Sequence, residues 1–481
     1  MNTKMIFYTL GKLTVCESIL MILPLIVALI YGEWLSALAF IISIGIAAAI
    51  GFLLYFGFKT QNKLIYAKEG FIIVAFSWLI MSAIGATPFV INGDIPSYID
   101  AFFETVSGFT TTGATILRDV EALSHASLFW RSFTHWVGGM GVLVFIMAVL
   151  PSISDRSIHI MRAEMPGPIV GKIVPRARQT ARILYVIYFV MTIVETILLL
   201  AGGMPLFDSI VHAFGTAGTG GFGIYNDSIA SYSPYLQWVI TIFMFLFGIN
   251  FNLFYLIIMK KAKSAFKSGE LWAYIAISGT AIAIICVNTY SMFNSFGDAF
   301  RTSAFQVSSF ITSTGYGTVN VNMWPTLSKT VLIALMFVGA CAGSTGGGFK
   351  VARVVMLAKM VKQELKRVIH PRSVTAVKFE GKVVDKTTLN SVSSYLAIYL
   401  LFFIGALLLI SFESFTFETN FTAALSCINN IGPIFSEIDP NVTFANYTGF
   451  SKIVLSFAML FGRLEIYPLL IALTPSTWTK K

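Results

Sequence analysis

Charge is scarce in this chain. Only 12% of its 481 residues are Asp, Glu, Lys or Arg, whereas soluble globular proteins carry about 25%. With 56% hydrophobic residues, that excludes a water-soluble fold and points to a bilayer. Cysteine is rarer still. Cys16, Cys286, Cys341 and Cys427 stand singly in apolar surroundings, which excludes a disulfide framework and the paired spacing of a zinc site. The five histidines are scattered, and His125, His135 and His212 approach no Cys, Asp or Glu constellation of the kind a zinc site needs. The apolar runs also lack paired carboxylates and any nucleophile spaced from a base, so no enzyme is expected.

What the chain has in quantity is long apolar runs. Stretches able to cross a hydrocarbon layer of about 30 Å fall near 8–31, 34–57, 70–92, 127–152, 180–202, 235–259, 271–291, 327–350, 391–412 and 450–474. Ten crossings return both termini to one side. Positive charge identifies that side as the cytoplasm. Lys59, Lys63 and Lys68 mark one inner loop, and Arg156, Arg162, Lys172, Arg176, Arg178 and Arg182 a second. Lys260, Lys261, Lys263 and Lys267 mark a third, and the nine cations from Arg353 to Lys386 a fourth. The opposite loops are acidic, with Asp94, Asp100, Glu104, Asp119, Asp208, Asp298, Glu418, Glu437 and Asp439 among them. The net charge of +10 is thus accounted for by topology, and nucleic acid is not an expected partner. The first run exceeds a signal-peptide core and lacks a small-residue cleavage site, so it is read as a retained helix.

Four times, an apolar run leads into a glycine- and hydroxyl-rich segment followed by another apolar run. The segments are Thr110–Ala114, Gly218–Phe222, Thr312–Tyr316 and Asn429–Pro433, each with a glycine at the same place: Gly113, Gly221, Gly315 and Gly432. A small residue, Ser107, Gly215, Ser309 or Ser426, stands six positions before each. Another glycine follows in the next run, Gly138, Gly248, Gly339 or Gly462, at separations of 25, 27, 24 and 30 residues. Each unit reads as helix, short re-entrant helix, polar turn, helix.

Irregular backbone at membrane depth is tolerated only where it is buried in protein or lines a wet cavity. Four such turns therefore point to one shared aqueous lining, with carbonyl oxygens presented to a partly dehydrated ion. Glycine lets those carbonyls turn toward an axis without a clashing Cβ. Thr111, Thr219, Ser313 and Asn430 add side-chain oxygens beside it. No carboxylate lies in the four segments, which suits a monovalent cation better than Ca²⁺. Thr314-Gly-Tyr-Gly317 is close to the Thr-Val-Gly-Tyr-Gly string of potassium filters.

The motifs Phe109-Thr-Thr-Thr-Gly-Ala114, Thr219-Gly-Gly-Phe222, Thr314-Gly-Tyr316 and Asn429-Asn-Ile-Gly-Pro433 resemble those of the superfamily of potassium transporters. Within it, the chain is most similar to the Trk-type uptake subunits of the TrkH family, whose relatives include Ktr and plant HKT proteins. The resemblance covers essentially the whole length. It implies an all-α integral membrane protein with four helix–pore-loop–helix repeats around a pseudo-fourfold pore. The repeats are assigned to 61–152, 153–268, 269–370 and 371–481, after an N-terminal hairpin at 1–60. It also implies one filter glycine per loop, with potassium selectivity where all four are glycine. The candidate filter is Thr111, Thr112, Gly113, Thr219, Gly220, Gly221, Ser313, Thr314, Gly315, Asn430, Ile431 and Gly432, with the second register open between Gly220 and Gly221.

Gly339-Ala-Cys-Ala-Gly-Ser-Thr-Gly-Gly-Gly-Phe-Lys350 interrupts the span after the third loop. Three consecutive glycines cost a helix about 1 kcal/mol each relative to alanine, so a break is expected there. The segment lacks the Gly-Lys-Ser/Thr ending of a phosphate-binding loop. The resemblance assigns Gly343, Ser344, Thr345, Gly346, Gly347 and Gly348 to an intramembrane gate. It places a basic residue matching Arg463 in the ion path; pairing of Arg463 with Glu465 or with helix-end carbonyls is the structural alternative. Lys350 is either a second pore charge or a snorkelling residue. The expected activity is passive potassium uptake across the cytoplasmic membrane, with both termini inside. K⁺ is the transported ion rather than a cofactor. The resemblance further implies a homodimer and a cytoplasmic TrkA-like ring of nucleotide-binding regulatory subunits, which the loops at 153–182 and 353–386 would contact. A sodium-conducting or cation-coupled relative is the nearest alternative, and a secondary transporter of an organic substrate a more distant one. An intramembrane enzyme is a weaker third option, behind an ion pore and a secondary transporter.

Overall fold

In the computed structural model, residues 1–60, 66–141, 177–372, 376–435 and 443–478 are described. They are helical apart from loops and a minimal hairpin pairing Lys378–Phe379 with Lys382–Val383. Six helices or helix runs are long and apolar enough to span a membrane: Thr3–Tyr31, Trp34–Gly57, Lys68–Asn92, Ala181–Ala201, Gly269–Met292 and Lys386–Ile410. Their outward faces carry large apolar side chains, such as Leu53, Phe56, Val287 and Leu401, each more than two-thirds or nearly two-thirds exposed. That surface requires lipid rather than water.

The first two spans form a hairpin held by close backbone approach. A Cβ on Gly11 would meet the amide of Tyr55 at 2.6 Å and the carbonyl of Gly51 at 2.8 Å, the small-residue contact by which membrane helices associate. Beyond the hairpin, four short helices dip into the protein: Tyr98–Phe109, Leu206–Gly218, Phe296–Ile311 and Phe417–Asn429. At 1.5 Å per residue they reach about 18–24 Å, too short to cross. Each has an acid in its first turn, Asp100, Asp208, Asp298 or Glu418, where the helix dipole favours negative charge.

Three expected continuous spans are broken. The run 235–259 splits into Pro234–Phe247 and Phe251–Ile258, bent by 91°. A Cβ on Gly248 there would meet the Tyr274 hydroxyl at 2.5 Å and the Thr312 methyl at 2.7 Å, and Asn250 caps the new helix through the Asn252 amide. The run 450–474 splits into Gly449–Arg463 and Tyr467–Leu473, bent by 119°, with Glu465 and Ile466 at positive φ. Pro468 is the second residue of the second piece, within the first turn, where proline costs no helix hydrogen bond. The run 327–350 is helical only over Thr326–Val338 and resumes as Val351–Ile369. The run 127–152 begins as His125–Gly139; its portion beyond 141 lies outside the described residues, as do Lys63, Arg156, Arg162, Lys172, Arg176, Glu437 and Asp439.

Candidate functional site

The four short helices end in the same way. After each, one residue other than glycine adopts the left-handed conformation: Thr111 at φ 56°, Thr219 at 54°, Ser313 at 59° and Asn430 at 56°. The amides of these residues donate to the carbonyls of Gly108, Thr216, Phe310 and Cys427. The next amides, of Thr112, Gly220, Thr314 and Ile431, donate to Ser107, Gly215, Ser309 and Ser426 at 2.8–3.0 Å. This pair of bonds is a Schellman ending, which usually recruits glycine to the left-handed position. The small residues six positions before each glycine are therefore the acceptors that anchor the turn.

Two residues beyond each left-handed residue stands Gly113, Gly221, Gly315 or Gly432, again at positive φ: 76°, 76°, 82° and 103°. In the second turn it is Gly221, not Gly220, that occupies the place matching Gly113, Gly315 and Gly432. These four glycines also meet one another's loops in cyclic order. A Cβ added to Gly113 would lie closer than 3.0 Å to the carbonyl oxygen of Gly220. On Gly221 it would meet Thr314 O, on Gly315 Ile431 O, and on Gly432 Thr112 O, all inside the same limit. Each glycine thus rests on the carbonyl of the residue preceding the next glycine, and the fourth returns to the first. Four segments separated by about a hundred residues close into one ring.

Of the four left-handed residues, two have their side-chain oxygens engaged by protein. Thr219 and Ser313 each donate to the preceding carbonyl at 2.6 Å. Asn430 Nδ2 donates to Thr112 Oγ1 and Met459 O, both at 2.9 Å. Thr110 with Thr112, and Thr312 with Thr314, form matching hydroxyl pairs at 2.8 Å. Thr111 Oγ1 and Asn430 Oδ1 are buried without a partner. Backbone carbonyls, not side chains, are the oxygens the four turns have in common.

The broken segment 339–350 packs against the C-terminal ends of two short helices. A Cβ on Gly346 would meet Thr312 O at 2.8 Å, and one on Gly347 would overlap Asn429 O. The Gly347 amide donates to Ser313 Oγ at 2.5 Å. Gly343 and Gly348 take φ of 76° and 79°, and Ser344 Oγ turns back to Cys341 O at 2.7 Å. Thr345 Oγ1 donates to Phe247 O at 3.2 Å. Lys350 is buried, and its ammonium reaches Gly346 O.

Arg463 reaches the same loop from the fourth repeat. Its Nη1 donates to Thr345 O at 2.8 Å, and its Nη2 to the carbonyls of Gly138 and Gly139 at 2.6 Å. Glu465 instead pairs with Arg353 at 2.6 Å, so the cation at 463 is held by helix-end and loop carbonyls. Glu270 holds the other flank, its carboxylate accepting the Ala342 amide at 2.6 Å.

Two residues were not singled out by the sequence. Glu104, counted among the outward charges, is buried and pairs with buried Arg131 at 2.7 Å. Glu104 also accepts from Thr115 Oγ1 and the Ile116 amide, while Arg131 donates to Gly223 O and stacks over Phe222 at 3.8 Å. The pair fixes the backbone just after the first and second glycines. Glu270 was likewise passed over; a lone glutamate at the start of an apolar run, facing a glycine-rich break 70 residues later, was its only signal.

Comparisons with known proteins agree along the whole chain. The TrkH cation transport protein family model matches residues 36–480. The Trk system potassium uptake proteins TrkH of Salmonella typhimurium and Escherichia coli K12 are each 36% identical over 485 residues, covering 99% of this chain and 100% of theirs. TrkG of E. coli K12 is 34% identical over 489 residues, with 99% and 100% covered. The crystal structure of the potassium transporter TrkH from Vibrio parahaemolyticus superposes with a TM-score of 0.90 at 31% identity, covering 100% of both chains. The chain is a multi-pass, all-helical membrane transporter and belongs to the TrkH family of cation transport proteins.

Proposed function

We propose that the protein carries potassium passively into the cell through the ring of four glycine turns. The observation that carries this reading is the cyclic contact of each glycine with the carbonyl before the next. Such a ring excludes side chains from the axis at four equivalent points and leaves backbone oxygens to replace an ion's hydration shell. All four positions are glycine, and the potassium uptake named for the relatives over the full length agrees. The helix C-termini converge at the turns, where their dipoles favour a cation. On this reading Thr112, Gly220, Thr314 and Ile431 supply carbonyls, and the four repeats keep the bounds 61–152, 153–268, 269–370 and 371–481 after the hairpin at 1–60.

The segment 343–348 is the gate. It lies against the ends of the third and fourth short helices and is held by Arg463, Lys350 and Glu270. Arg463 contributes a positive charge below the ring that discourages cations from dwelling there. The basic cytoplasmic helix Val351–Ile369 is continuous with the gate and offers a lever to a partner. The relatives are components of a Trk system, which supports a homodimer and a TrkA-like cytoplasmic ring acting on that face, with both termini on the same side.

The test is radioactive rubidium uptake into proteoliposomes driven by a potassium gradient and competed with K⁺, Na⁺ and Li⁺. Potassium competes far better than sodium, and Gly315→Ser weakens that preference, because a side chain there runs into Ile431 O. Equal competition by sodium would sink potassium selectivity and favour a general cation path.

A further inference from the structure

The glycine pair at 220–221 has one member more than the ring requires. Gly221 has the positive φ and meets Thr314 O, whereas Gly220 is not among the glycines with positive φ. What excludes a side chain at 220 is a histidine. A Cβ on Gly220 would fall closer than 3.0 Å to Cγ, Nδ1 and Cδ2 of His135. Gly218 is explained by the same residue, since its Cβ would overlap the His135 backbone carbonyl.

His135 is fully buried on the helix His125–Gly139 of the first repeat. Its Nδ1 lies 2.7 Å from Gly108 O. A carbonyl only accepts, so Nδ1 carries the hydrogen. Gly108 O is also the acceptor for the left-handed Thr111. The other side of the ring packs on Phe222, with centroids 4.2 Å apart. One imidazole therefore touches the first loop at its anchoring carbonyl and the second loop at 220 and 222. The carbonyl of Gly220 is the one on which Gly113 rests. At the matching place in the other repeats, three residues before Gly248, Gly339 and Gly462, stand Phe245, Met336 and Met459, none of which donates a hydrogen bond from a ring nitrogen.

We propose that His135 is a positioning residue for ion selection, setting the Gly220 carbonyl relative to Gly113 at the contact between the first and second loops. This rests on the filter reading above. A packing residue alone would alter stability; a positioning residue alters the preference between ions of different size.

The experiment compares K⁺ against Na⁺ competition for rubidium uptake in the full-length protein and in His135→Phe, Gly220→Ala, Gly221→Ala and the double variant Gly220→Ala/His135→Ala. Phenylalanine keeps the bulk and removes the donor. His135→Phe lowers the potassium preference several-fold while the protein stays monodisperse. Gly220→Ala lowers it too, and removing the imidazole in the double variant recovers at least about threefold of the loss, the coupling expected of residues in contact. Should His135→Phe not fold, His135→Leu takes its place, removing the donor on a smaller side chain, and the same loss of preference is required. Unchanged preference in the His135 variant overturns the proposal, and so does the absence of recovery in the double variant. If the unmodified protein discriminates and Gly221→Ala destroys that discrimination, the filter reading survives such a failure. If the unmodified protein does not discriminate, the filter reading fails first and takes this inference with it.

Discussion

Arg463 Nη1 donates to Thr345 O at 2.8 Å, joining a broken helix of the fourth repeat to the glycine-rich break of the third. The same guanidinium holds Gly138 O and Gly139 O of the first repeat. Three parts of the chain far apart in sequence thus meet at one cation, directly beside the loop assigned to gating. A bond from a charged donor is worth about 1.5–3 kcal/mol. Arg463→Ala is expected to raise basal rubidium uptake, in the absence of any partner, by about tenfold or more, on the proposal that residues 343–348 gate the path and that this bond is made only while they block it. Unchanged basal uptake would show that the loop is held elsewhere.

Gly347 tests the seating of the loop without touching a charge. Its Cβ space is filled by Asn429 O, with Asn430 Cβ at 3.1 Å. Gly347→Ala is expected to lift the loop from the fourth short helix and raise basal flux, while Gly405→Ala, where nothing lies within 4 Å, leaves it unchanged. Uptake by the two variants in parallel proteoliposomes checks this. A closed Gly347→Ala protein would place the barrier to ions away from residues 343–348.

The repeat, the four glycines and the break at 339–350 were legible in the sequence because glycine spacing reports backbone demands directly. The bends at 248–250 and 464–466 were not, because Phe251–Ile258 and Tyr467–Leu473 are as apolar as the helices before them, and hydropathy does not record direction. Gly248 with Asn250, and Gly462 with Pro468, were the local signals there. The left-handed Thr111, Thr219 and Ser313 were also hidden. Threonine rarely adopts that conformation, and here the ring of tertiary contacts overrides its preference. Glu104 read as an outer charge because its partner, Arg131, is 27 residues away in what reads as a plain membrane span.

A second flank of the loop leads to the hairpin pairing Lys378–Phe379 with Lys382–Val383. Glu380, at its tip, accepts from Ser268 Oγ at 3.0 Å and the Glu270 amide at 3.1 Å, and the Glu270 carboxylate in turn holds Ala342 N at 2.6 Å. A force on the hairpin therefore has a short route to the loop. Glu270→Ala leaves the buried Ala342 amide without its acceptor, a loss of about 1–3 kcal/mol, and is expected to raise basal flux several-fold. Glu380→Ala acts at one remove on a more exposed group and should give a smaller rise in the same direction. Hydrogen exchange at Ala342 that is unchanged in both variants would show that the hairpin and loop are uncoupled.

The buried pair Glu104–Arg131 makes the opposite kind of claim, about stability rather than opening. Both side chains are nearly inaccessible, at 0% and 2% exposure, so removing one leaves the other charged and unsolvated, at a cost of about 3–5 kcal/mol. Because Arg131 also binds Gly223 O and Glu104 also binds Thr115 and Ile116, the damage falls on the backbone just outside the first two glycines. Arg131→Ala and Glu104→Ala are each expected to lower the melting temperature in detergent and to reduce uptake. The double variant should be less destabilised than the sum of the singles, because it leaves no orphaned charge. Simple additivity would mean that the two groups act independently, with Arg131 serving mainly through its stacking on Phe222.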